Sequence, residues 1–119
     1  MAEKLAELVK NNGTRKPMIS GSIPSGTALN GANWTNLKTV TLDPAKRYLV
    51  IWQVLFAVTT YGYKGVSFNM GVYEGQSGSE CGGANVVAAW IFEGKSSIDL
   101  LAYNANGGTV GAIYKIVEL

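Results

Sequence analysis

The chain has 119 residues, 47% of them hydrophobic and only 15% charged, against the roughly 25% charge of ordinary soluble domains. That length suits one domain with a real core and is short for two. The net charge of +2 comes from scattered Lys and Arg, which argues against a nucleic-acid footprint or a polybasic membrane patch. There is no His, so Ser-His-Asp and Cys-His catalysis and imidazole metal ligation are excluded.

Residues 2 to 10, AEKLAELVK, place Leu5, Leu8 and Val9 at helical spacing, and NNG follows as a stop. A short amphipathic helix is expected within residues 1–13. Alone in water such a helix is marginal. It needs a partner, either matching helices from other copies, as at the end of a stalk, or the sheet of its own domain. Both remain open at this point.

From residue 14 to residue 119 the pattern is β throughout. Strands are expected near 17–23, 34–42, 47–60, 65–74, 85–93, 96–104 and 109–118, separated by Gly, Asn, Ser and Pro. Pro44 suits the second position of a turn in DPAK, EGKSS is a tight link, and NANGG tolerates positive φ. Links this short imply antiparallel pairing. Seven short strands with frequent turns predict a β-sandwich or barrel.

The strand RYLVIWQVLFAV, residues 47–58, contains one polar residue after Arg47, namely Gln53. An antiparallel sheet with one wet face should alternate apolar and polar residues. This strand is apolar on both faces. VGAIYKIVEL repeats the pattern, with Val110, Ala112, Tyr114 and Ile116 on one side and Ile113, Val117 and Leu119 on the other. IDLLAY and VVAAWIF are similar. A sandwich core hides one face of each strand, so the second face predicts an interface between copies of the chain. Trp52, Tyr114, Ile116 and Tyr103 are the candidates for it.

This order of elements resembles the jelly-roll trimers of the complement globular head and tumour necrosis factor family. It is still more similar to the trimeric head domains at the tips of bacteriophage tail fibres and baseplates. The resemblance rests on the turn into Tyr48, Val50, Trp52, Val54 and Phe56, on Gly94 at an expected hairpin, and on the strand Ile98-Asp99-Leu100. The Asn and Gly loop at 104–108 and the apolar terminal strand complete it. It covers residues 17–119 and is a grammar of strands, with no chemical motif. It implies an all-β antiparallel jelly-roll sandwich that assembles as a homotrimer with one sheet along the three-fold axis. It further implies a place on the virion and a host cell-surface saccharide as partner.

Catalytic signals are sparse. Asp99 lies within a strand, and Glu74, Glu80 and Glu93 each stand alone, so no local carboxylate pair offers acid-base work. Gly94-Lys95-Ser96 matches the end of a phosphate loop, but Ala89 stands where the earlier Gly is required and a strand is expected where the helix should begin. Asn33-Trp34-Thr35 matches a glycosylation site by accident. No acidic loop has calcium spacing, and neither a cofactor nor a metal is expected. Cys81, alone in SGSECGG, reads as a small loop residue. No stretch has signal-peptide form or the length to span a bilayer, so a soluble chain without membrane insertion is expected.

Binding is the better-supported class. Two expected loops, TTYGYKG at 59–65 and EGQSGSECGGAN at 74–85, combine small, polar and aromatic residues. Tyr61 and Tyr63 could stack on a sugar ring while neighbouring Lys64 and Thr60 donate hydrogen bonds; equally, the two tyrosines could cap the end of the sandwich. Gln76, in the second loop, is another candidate. Trp34, beside NGAN, is a further candidate. The expected function is a non-enzymatic receptor-binding head. A complement-like extracellular module, a purely structural trimerisation or decoration domain, and a jelly-roll hydrolase or lyase are the alternatives.

Overall fold

The computed structural model describes residues 18–119. The expected N-terminal helix, with Leu5, Leu8 and Val9, lies outside the described residues. Eight strands run in order: β1 (Met18–Ala28), β2 (Thr35–Thr41), β3 (Arg47–Phe56), β4 (Gly62–Phe68), β5 (Glu74–Cys81), β6 (Asn85–Glu93), β7 (Ser97–Asn104) and β8 (Thr109–Glu118). They form two four-stranded antiparallel sheets, β1-β8-β3-β6 and β2-β7-β4-β5. That interleaving is the order of a jelly roll.

Only β4 and β5 are neighbours in both sequence and sheet. The expected hairpin at Gly94 is therefore corrected: residues 94–96 carry the chain from one sheet to the other, with Gly94 at φ 72°. DPAK makes the same kind of crossing. There the Asp43 carboxylate accepts from Ala45 N at 2.9 Å, and Lys46 N donates to Asp43 O at 3.1 Å. Lys46 then reaches Glu118 at 2.8 Å, pinning the turn to the end of β8. The hydrogen bond and charge of Glu118 raise the Lys46 ammonium above its usual pKa.

β5 was not expected as a strand. Gly75, Ser77, Gly78 and Ser79 have low strand propensity, and pairing with β4 overrides it. Gly78 is required there, because a Cβ would sit 2.4 Å from the Lys64 carbonyl oxygen and 2.7 Å from Gly65 Cα.

The core fills the space between the sheets. From β3, Tyr48, Val50, Trp52, Val54 and Phe56 point inward, and from β8 Val110, Ala112, Tyr114 and Ile116 do. They meet Val66 and Phe68 from β4 and Ile98, Leu100 and Ala102 from β7. Phe68 and Phe92 pack edge to face at 5.1 Å across the gap. Trp52 is fully buried, and its indole Nε1 donates to Leu101 O at 2.9 Å, a hydrogen bond from one sheet to the other. Tyr114 lies over Gly21 of β1, where a Cβ would overlap its ring.

Trp52→Ala should cost about 3 to 5 kcal/mol, because it opens a cavity and strands the Leu101 carbonyl. Urea unfolding monitored by far-UV circular dichroism measures this. A loss below about 1 kcal/mol would contradict the placement of Trp52 at the centre of the core.

Candidate functional site

The two outward faces differ in chemistry. On β1-β8-β3-β6 the strands turn out Leu49, Ile51, Gln53 and Leu55 from β3, Val87, Ala89 and Ile91 from β6, and Ile113, Lys115 and Val117 from β8. Cross-strand pairing lines up Ile91, Leu49, Val117 and Met18 in one row, with Ala89, Ile51 and Lys115 in the next. Leu55 is 57% exposed, Ile91 50% and Ile113 48%. Across β3, β6 and β8 the face is largely aliphatic, interrupted by Gln53, Lys115 and the Asn85 that accepts from Gln53; Ser20 and Ser22 continue it on β1, and the Arg47–Glu93 ion pair stands at its margin. A cavity of about 430 Å³ opens on it where β1 bulges away from β8 between Ile23 and Thr27, beside Pro24, Ser25, Leu55, Gly111 and Ile113.

Two-sided apolarity is thus a property of this sheet, but the interface candidates carried the wrong parity. Trp52 and Ile116 are buried inside the sandwich, as is Tyr114 at 9% exposure, so these three hold the two sheets of one chain together. The signal was present in the strands. Gln53 shares its parity with Leu49, Ile51 and Leu55, and Lys115 with Ile113 and Val117. A lone polar residue among apolar ones marks the outward side, because burying it without a partner is costly.

The outward face of β2-β7-β4-β5 is aromatic and polar. Four half-buried rings form a row, from Tyr73 to Trp34 at 5.6 Å between centroids, Trp34 to Tyr103 at 5.4 Å, and Tyr103 to Tyr63 at 5.8 Å. Trp34 leads into β2, Tyr103 lies on β7 and Tyr63 on β4, so the row crosses the sheet strand by strand. Gln76 on β5 ends it, with Nε2 donating to the Tyr63 hydroxyl at 2.7 Å. Beneath the Tyr63 side chain lie Gly65, where a Cβ would come within 3 Å of the ring, and its cross-strand partner Gly78, where a Cβ would meet the β4 backbone and come 2.9 Å from the Tyr63 hydroxyl. At the other end, the turn between β4 and β5 folds onto the sheet. Asn69 Oδ1 accepts from Asp99 N at 2.9 Å, Met70 N donates to Asp99 Oδ2 at 3.1 Å, and Tyr73 takes the left-handed φ of 58° that places its ring against Trp34. Under this cover Leu101, although on the outer parity of β7, is fully buried.

The structure therefore brings Trp34, Tyr63 and Gln76 together, and adds Tyr103, which was expected at an interface, and Tyr73, which was missed. Tyr73 carries no pattern in sequence because its place depends on the Asn69 turn. Tyr61 stands apart at the end of the sandwich, 69% exposed. Lys64 is a correction. It lies inside β4 and is fully buried, donating to Thr60 O at 2.6 Å and Cys81 O at 3.0 Å. With Asn104, whose amide donates to Val58 O, and Asn106, which donates to Thr60 O, it ties the β3–β4 connection to the end of β5 and to the β7–β8 turn at this pole of the sandwich. The ammonium is spent on the fold. The stretch 74–85, expected as a loop, is mostly β5. Among the described residues no group of three or more Cys, Asp or Glu is placed to hold a metal ion.

No family model matches the chain, and no curated protein does. Solved structures do. A structure of the Gx strain of infectious bursal disease virus is similar with a TM-score of 0.54 and 10% identity, over 88% of this chain and 32% of that one. The globular domain of zebrafish complement 1qA protein is similar with a TM-score of 0.52 and 6% identity, over 85% of this chain and 95% of that one. This chain thus spans about a third of the viral protein and nearly all of the complement domain. At these identities the likeness is one of fold, a jelly-roll sandwich shared with a virus particle protein and a complement head.

Lys64→Met keeps the aliphatic stem and removes the donors to Thr60 and Cys81. It should destabilise the protein by on the order of 2 kcal/mol, read as a fall in the urea midpoint at unchanged slope. A neutral result would return Lys64 to the surface.

Proposed function

We propose that the chain is a non-enzymatic, homotrimeric receptor-binding head of a bacteriophage tail fibre or baseplate, directed at a saccharide of the bacterial surface. The observation that carries this reading is the bare aliphatic face of β1-β8-β3-β6. It displays Ile51, Leu55, Val87, Ile91 and Ile113 at roughly a third to a half exposure, with Gln53, Lys115 and Asn85 as the hydrogen-bonding groups among them and Ser20 and Ser22 along the β1 edge. Water gains little from such a surface, and neither would a polar ligand.

A second copy of the same face is the matching partner. It is apolar, its charge is confined to Lys115 and the Arg47–Glu93 margin, and flat sheet faces pack well at about 10 Å. Covering the exposed half of a Leu or Ile contributes about 1 kcal/mol, so a handful per subunit supplies association energy of the size assemblies need. Three copies follow from the resemblance to trimeric heads, which also supplies the tail-tip location and the saccharide. Three weak saccharide sites on one head would add through avidity. A purely structural trimerisation or decoration domain uses the same aliphatic face and lacks the ligand.

Light scattering at micromolar concentration should give a mass near three times 12.6 kDa. Ile51→Glu combined with Ile113→Glu should return the single-chain mass with the far-UV spectrum kept, since both side chains point away from the core. A wild-type monomer at that concentration would sink the assembly. A wild-type trimer that binds no bacterial glycan would leave the structural reading in its place.

A further inference from the structure

We infer that the ring row Tyr73, Trp34, Tyr103 and Tyr63, closed by Gln76, is the saccharide platform of this head. The inference rests on the saccharide-binding reading above and gives that reading a location. The site lies on the opposite sheet from the aliphatic face, so assembly through one leaves the other in water.

Three observations point to a ligand rather than to a second small core. The first concerns hydrogen bonds. A buried Trp or Tyr normally finds a partner for its polar atom, as Trp52 does with Leu101 O. Among the described residues, the Trp34 indole N–H and the Tyr103 hydroxyl bond to nothing, and no buried side-chain polar atom lacks a partner. Both groups therefore reach solvent from half-buried rings. The Tyr63 hydroxyl accepts from Gln76 and keeps its own proton to donate.

The second observation is the floor. Gly65 and Gly78 are paired on adjacent strands, and a side chain at either would strike Tyr63. Those two glycines let the ring lie down along the sheet. The third is Tyr73, a non-glycine residue at φ 58°. Such a conformation costs free energy, and its occurrence here extends the row by one ring.

A pyranose has an apolar C–H face and a girdle of hydroxyls. A row of tilted rings offers stacking to the first, while donors at the ring edges and the Gln76 amide serve the second. On the β5 side the fringe carries the Gln76 amide and the exposed Glu80 carboxylate, which lies opposite Tyr63, and on the β2 side it continues to Asn36 and Thr39, where Thr39 donates to Asp99. A proline-rich peptide also docks on aromatic rows. It wants a groove between rings, however, and here each ring abuts the next at under 6 Å.

The full chain is tested on an array of bacterial capsular and lipopolysaccharide oligosaccharides, with an immobilised polyproline peptide alongside. Wild-type protein should bind at least one saccharide spot and not the peptide. Trp34→Ala, Tyr103→Ala and the exposed Gln76→Ala should each weaken that spot by about tenfold or more. Tyr63→Phe keeps the ring and removes one hydroxyl, and should lose less. The Ile51→Glu and Ile113→Glu monomer should keep the affinity of a single site and lose avidity. Melting curves separate unfolding from lost contacts, and Gln76→Ala decides if a ring variant does not fold. Saccharide binding unchanged in the row variants overturns the platform and leaves the saccharide reading standing. No saccharide bound by wild type overturns both, and peptide binding lost in the row variants replaces the ligand class.

Discussion

A β-strand has two faces and a sandwich core covers one of them. The rest of this molecule follows from how the other is treated. Along β3 the inward side chains Tyr48, Val50, Trp52, Val54 and Phe56 lock the two sheets together, with the Trp52 indole bonded across to the Leu101 carbonyl. The outward set, Leu49, Ile51 and Leu55, is almost as apolar and has no cover among the described residues. One solution is applied to each sheet. On β2-β7-β4-β5 the chain lays the Asn69 turn and four aromatic rings across the outer face, and Leu101, on that face, is fully buried. On β1-β8-β3-β6 the described residues supply none.

The contrast separates two kinds of recognition. An aliphatic face gains by excluding water against another apolar face and is indifferent to direction. Rings with polar edges gain from stacking and from a few aimed hydrogen bonds, so they choose among ligands. On the reading proposed above, assembly and recognition use opposite faces of one domain of about a hundred residues and do not compete for surface. Glycines serve this division. Gly21 admits the Tyr114 ring to the core, while Gly65 and Gly78 admit the Tyr63 ring to the outer face, so bulk is placed where a neighbour has no Cβ.

Low charge has a related consequence. Lys64, one of the few cations, is drawn into the pole of the sandwich, where backbone oxygens of Thr60 and Cys81 replace its water. With Asn104 and Asn106 it closes that end by hydrogen bonds to the carbonyls of Val58, Thr60 and Tyr61 in the β3–β4 connection and of Cys81 at the end of β5. The exposed Tyr61 is displayed on this rigid end, away from the ring row.

An all-β architecture, antiparallel pairing and a surplus of two-sided apolar strands were legible along the chain, because period-2 patterning and turn residues are local properties. The outward parity was legible too, in Gln53 and Lys115, although the bulk of Trp52 and Tyr114 drew attention to the other side. β5 was hidden, since a strand of Gly and Ser has no propensity of its own and exists through pairing with β4. The ring row was hidden more deeply. Residues 34, 63, 73, 76 and 103 become neighbours only when a jelly roll lays β2, β7, β4 and β5 side by side, and pairing between strands so distant in the chain is a decision of the whole fold.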